Sequence, residues 1–252
     1  MPQGRRNGNV PLWRNAKMTD YYFDQLCRLA RARAESYWWL SNLYFELPTP
    51  EKVRALREKL DALADNTPDA LTSHLLTLRS LFQGRGDDEI ADRLLPEQTR
   101  LFGGLHPAYG PPPPYESVYR GAQFMGEVTL SVMRAFHDAG FQQIETSVGP
   151  ADHIVSELKF MAALCFREQE AWERGESDRA LQWVLQEKMF LEDHNIRWIP
   201  AFCDALKKSA KERYFVCLAD LTLEACESDT DAVGHLLHGR GSGTEQASSN
   251  AT

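Results

Sequence analysis

The sequence predicts an all-α protein, a compact multi-helix bundle. Three observations carry that prediction. Apolar residues recur at three- and four-residue steps through most of the chain. No segment alternates apolar and polar residues as a half-buried strand does, and no short hairpin turn occurs. The periodic stretches are separated by proline and glycine, which end helices.

The first helix is predicted over "DYYFDQLCRLARARAESYWWLSNLYFEL", with Tyr22, Leu26, Leu29, Arg33, Tyr37, Leu40 and Tyr44 along one stripe. Arg33 is the one charge in that stripe. "PTP" breaks the pattern; Thr49 is placed to cap the next helix, with Pro50 in its first turn. There Val53, Leu56, Leu60 and Leu63 form one face. Leu71, Leu75, Leu78 and Leu81 form a third helix face. Ile90, Leu94, Leu95, Leu101 and Phe102 form a fourth, with an interruption expected near Pro96.

The pattern then stops at "GGLHPAYGPPPPYESVY", which holds three glycines and five prolines. Consecutive prolines impose an extended backbone and remove donors, so no helix crosses here. A linker between helical halves, over residues 103–114, is one reading. The aromatic and polar run Tyr115, Glu116, Ser117 and Tyr119 at its end is more specific than a spacer needs.

Helical spacing resumes with Phe124, Val128, Val132 and Phe136, ending near Gly140. The next helix buries Ile154, Leu158, Met161 and Cys165. Helices over 180–193, 196–206 and 209–225 follow, the last carrying Tyr214, Leu218, Leu221 and Ala225. Residues 1–17 and 239–252 are polar and rich in glycine or serine, and read as flexible tails on one helical domain over 18–238.

Composition narrows the function. The 252 residues carry 28 basic and 36 acidic side chains, a formal charge of −8. A nucleic-acid surface needs a basic footprint, and attraction to anionic lipid needs the same; a basic partner fits better. Five cysteines lie scattered among apolar neighbours without a CxxC pair, which suggests neither a disulfide framework nor a zinc site and fits a reducing compartment. The longest apolar run, Phe160 to Phe166, is far too short to span a bilayer. Arg5 and Arg6 have no apolar stretch behind them and so read as neither a secretory nor a twin-arginine export signal. The expectation is a cytoplasmic protein without a cofactor of its own.

No phosphate-binding loop, nucleophile elbow or HExxH motif occurs. His153 and Glu157 are four residues apart and share a helix face; His194, preceded by Glu192 and Asp193, adds a third candidate ligand after folding. One reading is therefore a small helical metal-dependent hydrolase using His153, Glu157 and His194. Two ligands on one helix fall short of the three or four a zinc site needs, and the repeated ExxH of ferritin-like carboxylate sites is missing.

In "SVGPADHIVSELKFMAALCF", Gly149 as cap and Pro150 as first helical residue put Asp152 in the first turn, where the helix dipole favours a carboxylate. Nothing in capping calls for His153, because a cation is disfavoured there. Adjacent residues also do not face each other on a helix. Asp152 and His153 then point apart from one helix end, as suits contact with something outside.

Three ordered segments, "PPYESVY", "PADHIVSELKFMAAL" and "HNIRWIPAFCDAL", with "ESYWWLSNLYFELP" and "EQTRLFGG" upstream, resemble the TorD-like family of cytoplasmic molybdoenzyme maturation chaperones. The likeness runs over roughly residues 20–228. It implies an all-helical fold without catalysis. It also implies binding of the twin-arginine signal peptide, or the unfinished catalytic subunit, of a DMSO-reductase-family molybdoenzyme during cofactor insertion. The family's recognition surface carries over to Asp152 and His153, with Tyr115, Glu116, Ser117 and Tyr119 beside them, Glu157 one turn on, and His194 and Trp198 at the later motif. Trp198 is equally readable as core. Asp152, Glu116 and Glu157 are the carboxylates expected to meet the peptide's arginines. Nitrate, selenate, chlorate, sulfoxide and hydrocarbon-oxidising enzymes all fit as partners, and both monomer and dimer are compatible with the proline loop.

Overall fold

The computed structural model describes residues 16–63, 69–103, 110–141 and 149–238. The expected tails, apart from residues 16 and 17, and the centre of the proline loop lie outside the described residues. The chain runs α1 (Ala16–Phe45), α2 (Pro50–Leu63), α3 (Asp69–Ser80), α4 (Asp87–Phe102), α5 (Glu116–Tyr119), α6 (Glu127–Asp138), α7 (Ile154–Glu173), α8 (Ser177–Phe190), α9 (Ile196–Ser209) and α10 (Arg213–His238). A π-helical turn, Leu191–Asn195, joins α8 to α9. Among the described residues there is no strand, only an isolated antiparallel bridge between Tyr115 and His153. No described helix is long and apolar enough to cross a membrane.

Helix α7 is the central element. Its faces bury Val155, Leu158, Met161, Leu164 and Cys165, and it packs along both α1 and α8. Helix α1 meets it through Leu26, Ala30, Ala34, Tyr37, Leu40 and Tyr44. The expected stripe is thus shifted: Tyr22 and Leu29 are exposed, and the small Ala30 and Ala34 take the buried positions. Trp198 and Phe202 of α9 and Phe215 of α10 complete the same core.

Local signals act as expected at α2, where Thr49 Oγ1 accepts the Lys52 amide at 3.4 Å. Two expectations are corrected. Helix α4 runs unbroken through Pro96, which is exposed, so the backbone group it leaves unpaired is on the solvent side. The last helix does not stop at 225 but continues to His238, because Cys226, Asp229 and Val233 are still buried beyond that point.

Arg33, the charge within the α1 stripe, is buried at the junction of α1, α7, α8 and α10. It donates to Glu168 Oε2 at 2.7 Å and is also paired with Glu187 and Asp229. Tyr37 donates to Asp229 at 2.7 Å, and Trp172 Nε1 to Glu168 at 2.9 Å.

Candidate partner-binding site

The described end of the proline loop is held by its own carbonyls. Proline lacks a donor but keeps its acceptor. Pro112 O accepts the Tyr119 hydroxyl at 2.8 Å, Pro113 O the Tyr115 amide at 2.8 Å, and Pro114 O the Ile154 amide at 3.0 Å. Glu116 N in turn donates to Asp152 O at 2.8 Å. These bonds pin the segment preceding α5 against the segment preceding α7, so Tyr115 and His153 become neighbours, with rings 4.9 Å apart edge to face. Gly149 adopts φ +109°, and a Cβ there would sit 3.3 Å from the Tyr115 hydroxyl, so glycine suits both the turn and the close approach.

Helix α7 starts at Ile154, four residues later than the sequence pattern suggests. His153 is its N-cap, with Nδ1 accepting the Val155 amide at 3.2 Å. The expectation that capping does not call for histidine is therefore overturned. Only a cationic imidazole is disfavoured at a helix start; a neutral one offers an acceptor like that of asparagine. Burial pushes the His153 pKa down to about 4, against the opposing pull of Asp152, which keeps the ring neutral.

Asp152 is not in the first turn of the helix and is fully buried. Its two oxygens accept from Ser117 N at 3.1 Å and Thr129 Oγ1 at 3.0 Å, tying α5 to α6. Glu116, also fully buried, accepts from Arg120 at 2.6 Å and bonds His194 Nδ1 at 2.8 Å. Glu157 Oε2 accepts from both Asn195 Nδ2 and Trp198 Nε1 at 2.9 Å. Burial, then the nearby charge of Glu116, holds the Glu157 carboxyl well above the usual carboxylate range. The three carboxylates expected to meet a partner's arginines are thus all spent inside the protein in this conformation.

The π-helical turn explains how one short stretch serves two of them. Ile196 N reaches back to Leu191 O across the widened turn. His194 then faces Glu116, while Asn195 and Trp198 face Glu157. His194 also stacks on Phe190 at 4.7 Å, and Tyr119 packs on Trp198 and Phe202, each at 5.7 Å. Trp198 is core, the second of the two readings the sequence allowed.

The residues singled out from sequence therefore gather in one region, but with divided roles. Tyr115 and His153 line a cleft of about 380 Å³ between the ends of α1 and α4 and the start of α7, together with Phe45, Leu47, Phe102 and Pro114. Glu116, Ser117, Asp152, Glu157, His194 and Trp198 lie behind it, buried. Arg120, Thr129 and Asn195, which complete the network, carry no sequence signal of their own beyond lying in or near the motifs.

The hydrolase reading is corrected by the same geometry. His194 is bonded to Glu116, His153 Nδ1 caps α7, and Glu157 is held by Asn195 and Trp198, so the three side chains do not converge. Among the described residues no group of three or more histidine, cysteine or acidic side chains is placed to hold a metal ion.

A helical body whose motif polar groups are mostly used internally, beside a largely apolar cleft, belongs to a binding protein. Comparison with known proteins agrees. The profile of the family described as Nitrate reductase delta subunit matches residues 50–204. The chain is 27% identical over 216 residues to Chaperone protein TorD of Vibrio cholerae serotype O1 (strain M66-2), covering 83% of this chain and 95% of that protein. It is 26% identical over 211 residues to Chaperone protein TorD of Vibrio parahaemolyticus serotype O3:K6 (strain RIMD 2210633), covering 79% and 93%. A similar match, 26% over 219 residues, covers 78% of this chain and 92% of Chaperone protein TorD of Photobacterium profundum. The chain belongs to this family of TorD-like redox enzyme maturation proteins, and is a chaperone rather than an enzyme.

Proposed function

We propose that this chaperone serves a molybdopterin-containing oxidoreductase of the DMSO reductase family. It would bind the twin-arginine signal peptide of the catalytic subunit, the unfinished subunit itself, or both, in the cytoplasm, and delay export until the cofactor is inserted. The observation that carries the reading is the cleft at Tyr115 and His153. It is open, aromatic and largely apolar, with sidewalls from Phe45, Leu47 and Phe102. An amphipathic or apolar segment is the natural occupant of such a groove.

Tyr115 and His153 would make the direct contacts. Glu116, Ser117, Tyr119, Asp152, Glu157, His194 and Trp198 would hold those two in place. With His153 Nδ1 occupied by the helix cap, the neutral ring carries its proton on Nε2 and offers one donor to a visiting backbone. Affinity then comes mainly from apolar burial.

The test is purification of the chaperone from its native host with mass spectrometry of what accompanies it, repeated with Tyr115→Ala. Co-purification of a molybdoenzyme catalytic subunit, reduced by the substitution, is the expected result. A partner set without any molybdoenzyme defeats the reading.

A further inference from the structure

A second pocket lies away from the Tyr115–His153 cleft, where the π-helical turn and α9 meet α10. It has a volume of about 250 Å³, room for one long side chain. Ile199, Pro200, Leu223 and Cys226 give it apolar walls. Glu227 and Asp231, one turn apart on α10, are exposed at its rim and make no ion pair among the described residues.

The inner end of the pocket carries an unmet demand. Asn195 lines it and is fully buried, yet its Oδ1 has no hydrogen-bond partner. The amide cannot simply be turned round. Glu157 Oε2 already accepts from Trp198 Nε1, so the Asn195 group facing it must be the donating Nδ2, which leaves Oδ1 over. An unpaired buried acceptor is costly and is relieved by any donor that can reach it.

An apolar shaft, a buried acceptor and two rim carboxylates together describe one ligand chemistry: an alkyl chain ending in a cationic group with several N–H donors. Arginine fits this better than lysine. Its planar fork serves more than one acceptor, and its weaker hydration lowers the cost of entering an apolar pocket. The geometry points to this pocket as a receptor for an arginine side chain of the client. The assignment rests on the peptide-binding reading above. It supplies the acidic subsite that Glu116, Asp152 and Glu157, all buried and internally bonded, do not offer.

The test begins with a probe that does not depend on the client. n-Butylguanidinium is titrated into the isotope-labelled full chain and followed by amide NMR. Saturable shifts are expected at the Asn195 side-chain amide and at the backbone of Leu223 and Cys226. n-Butylammonium should bind more weakly. The E227Q/D231N variant changes only exposed side chains and should weaken binding by at least about three-fold, the scale of two exposed charges. Shifts elsewhere only, or equal binding to the variant, overturn the assignment.

A synthetic peptide with adjacent arginines ahead of an apolar stretch gives the second arm. Weaker binding to E227Q/D231N, and loss of that difference when the arginines become glutamines, supports the assignment. Equal binding to both proteins overturns it while leaving the peptide-binding reading intact. A peptide that ignores the wild-type protein counts against that reading instead, and the guanidinium titration alone then decides the pocket.

Discussion

Glu116 and His194, 78 residues apart in sequence, are joined by a hydrogen bond of 2.8 Å in the interior. That bond, with Arg120 on the other carboxylate oxygen at 2.6 Å, fixes the short helix whose first flank is Tyr115. The family motif is therefore a brace in this chain as much as a contact surface. Removing one partner leaves the other buried and unpaired, a loss on the order of 2–4 kcal/mol. Glu116→Ala and His194→Ala should each lower the urea midpoint, and the double variant should lose about 1–3 kcal/mol less than their sum. Additive losses would show that the two side chains do not act as a pair.

Asp152 and His153 separate in the same way. Asp152→Ala strands Ser117 N and the Thr129 hydroxyl, so it should destabilise the fold by about 2–4 kcal/mol. His153→Ala removes a helix cap, for about 1 kcal/mol. His153→Asn restores the capping acceptor without the ring. It should melt close to wild type yet bind the partner peptide less well, which peptide anisotropy beside thermal denaturation will read. Full binding by His153→Asn would remove the imidazole from the recognition surface.

The helices were legible because their signal is local. Val53, Leu56 and Leu60 bury one face of α2 whatever surrounds them, and Thr49 caps by proximity. The site was legible in position but not in role. The motif positions do come together, because the Tyr115–His153 bridge joins the two segments. Whether a carboxylate points inward depends on partners tens of residues away, such as His194 for Glu116 and Thr129 for Asp152. His153 was misread for a related reason. Its capping role requires a neutral ring, and neutrality is set by burial that no nearby residue announces. Arg33 gave a true signal as a lone charge on an apolar stripe, but its acidic partners sit on three other helices.

His153 also makes stability depend on pH. Its folded pKa, about 4, lies below its ordinary value of 6.5, so the unfolded chain takes up the proton first as the solution is acidified. The contribution is fully present above about pH 6.5 and is lost as pH falls towards 4. Urea midpoints measured across that window should fall less steeply for His153→Asn than for wild type. Parallel curves would mean that the imidazole is not held neutral by the fold.

The Arg33 cluster acts in the opposite direction. One guanidinium faces Glu168, Glu187 and Asp229, so at least one buried carboxyl is poorly compensated. Burial raises both Glu168 and Glu187, the latter well above the ordinary carboxylate range, even with Arg33 beside them. Acids with raised folded pKa values are held protonated by the fold, so their contribution is intact at low pH and is lost as pH climbs from the ordinary carboxylate value through the folded one. Glu187→Gln removes that ionisation while keeping an oxygen for Arg33. It should flatten the alkaline side of the stability profile and leave the acid side little changed. Arg33→Met, by contrast, strands three buried acids and should cost about 3–5 kcal/mol at neutral pH, with partial recovery on acidification as they take up protons. A loss for Arg33→Met that does not ease at low pH would assign the damage to packing of the side chain instead of its charge.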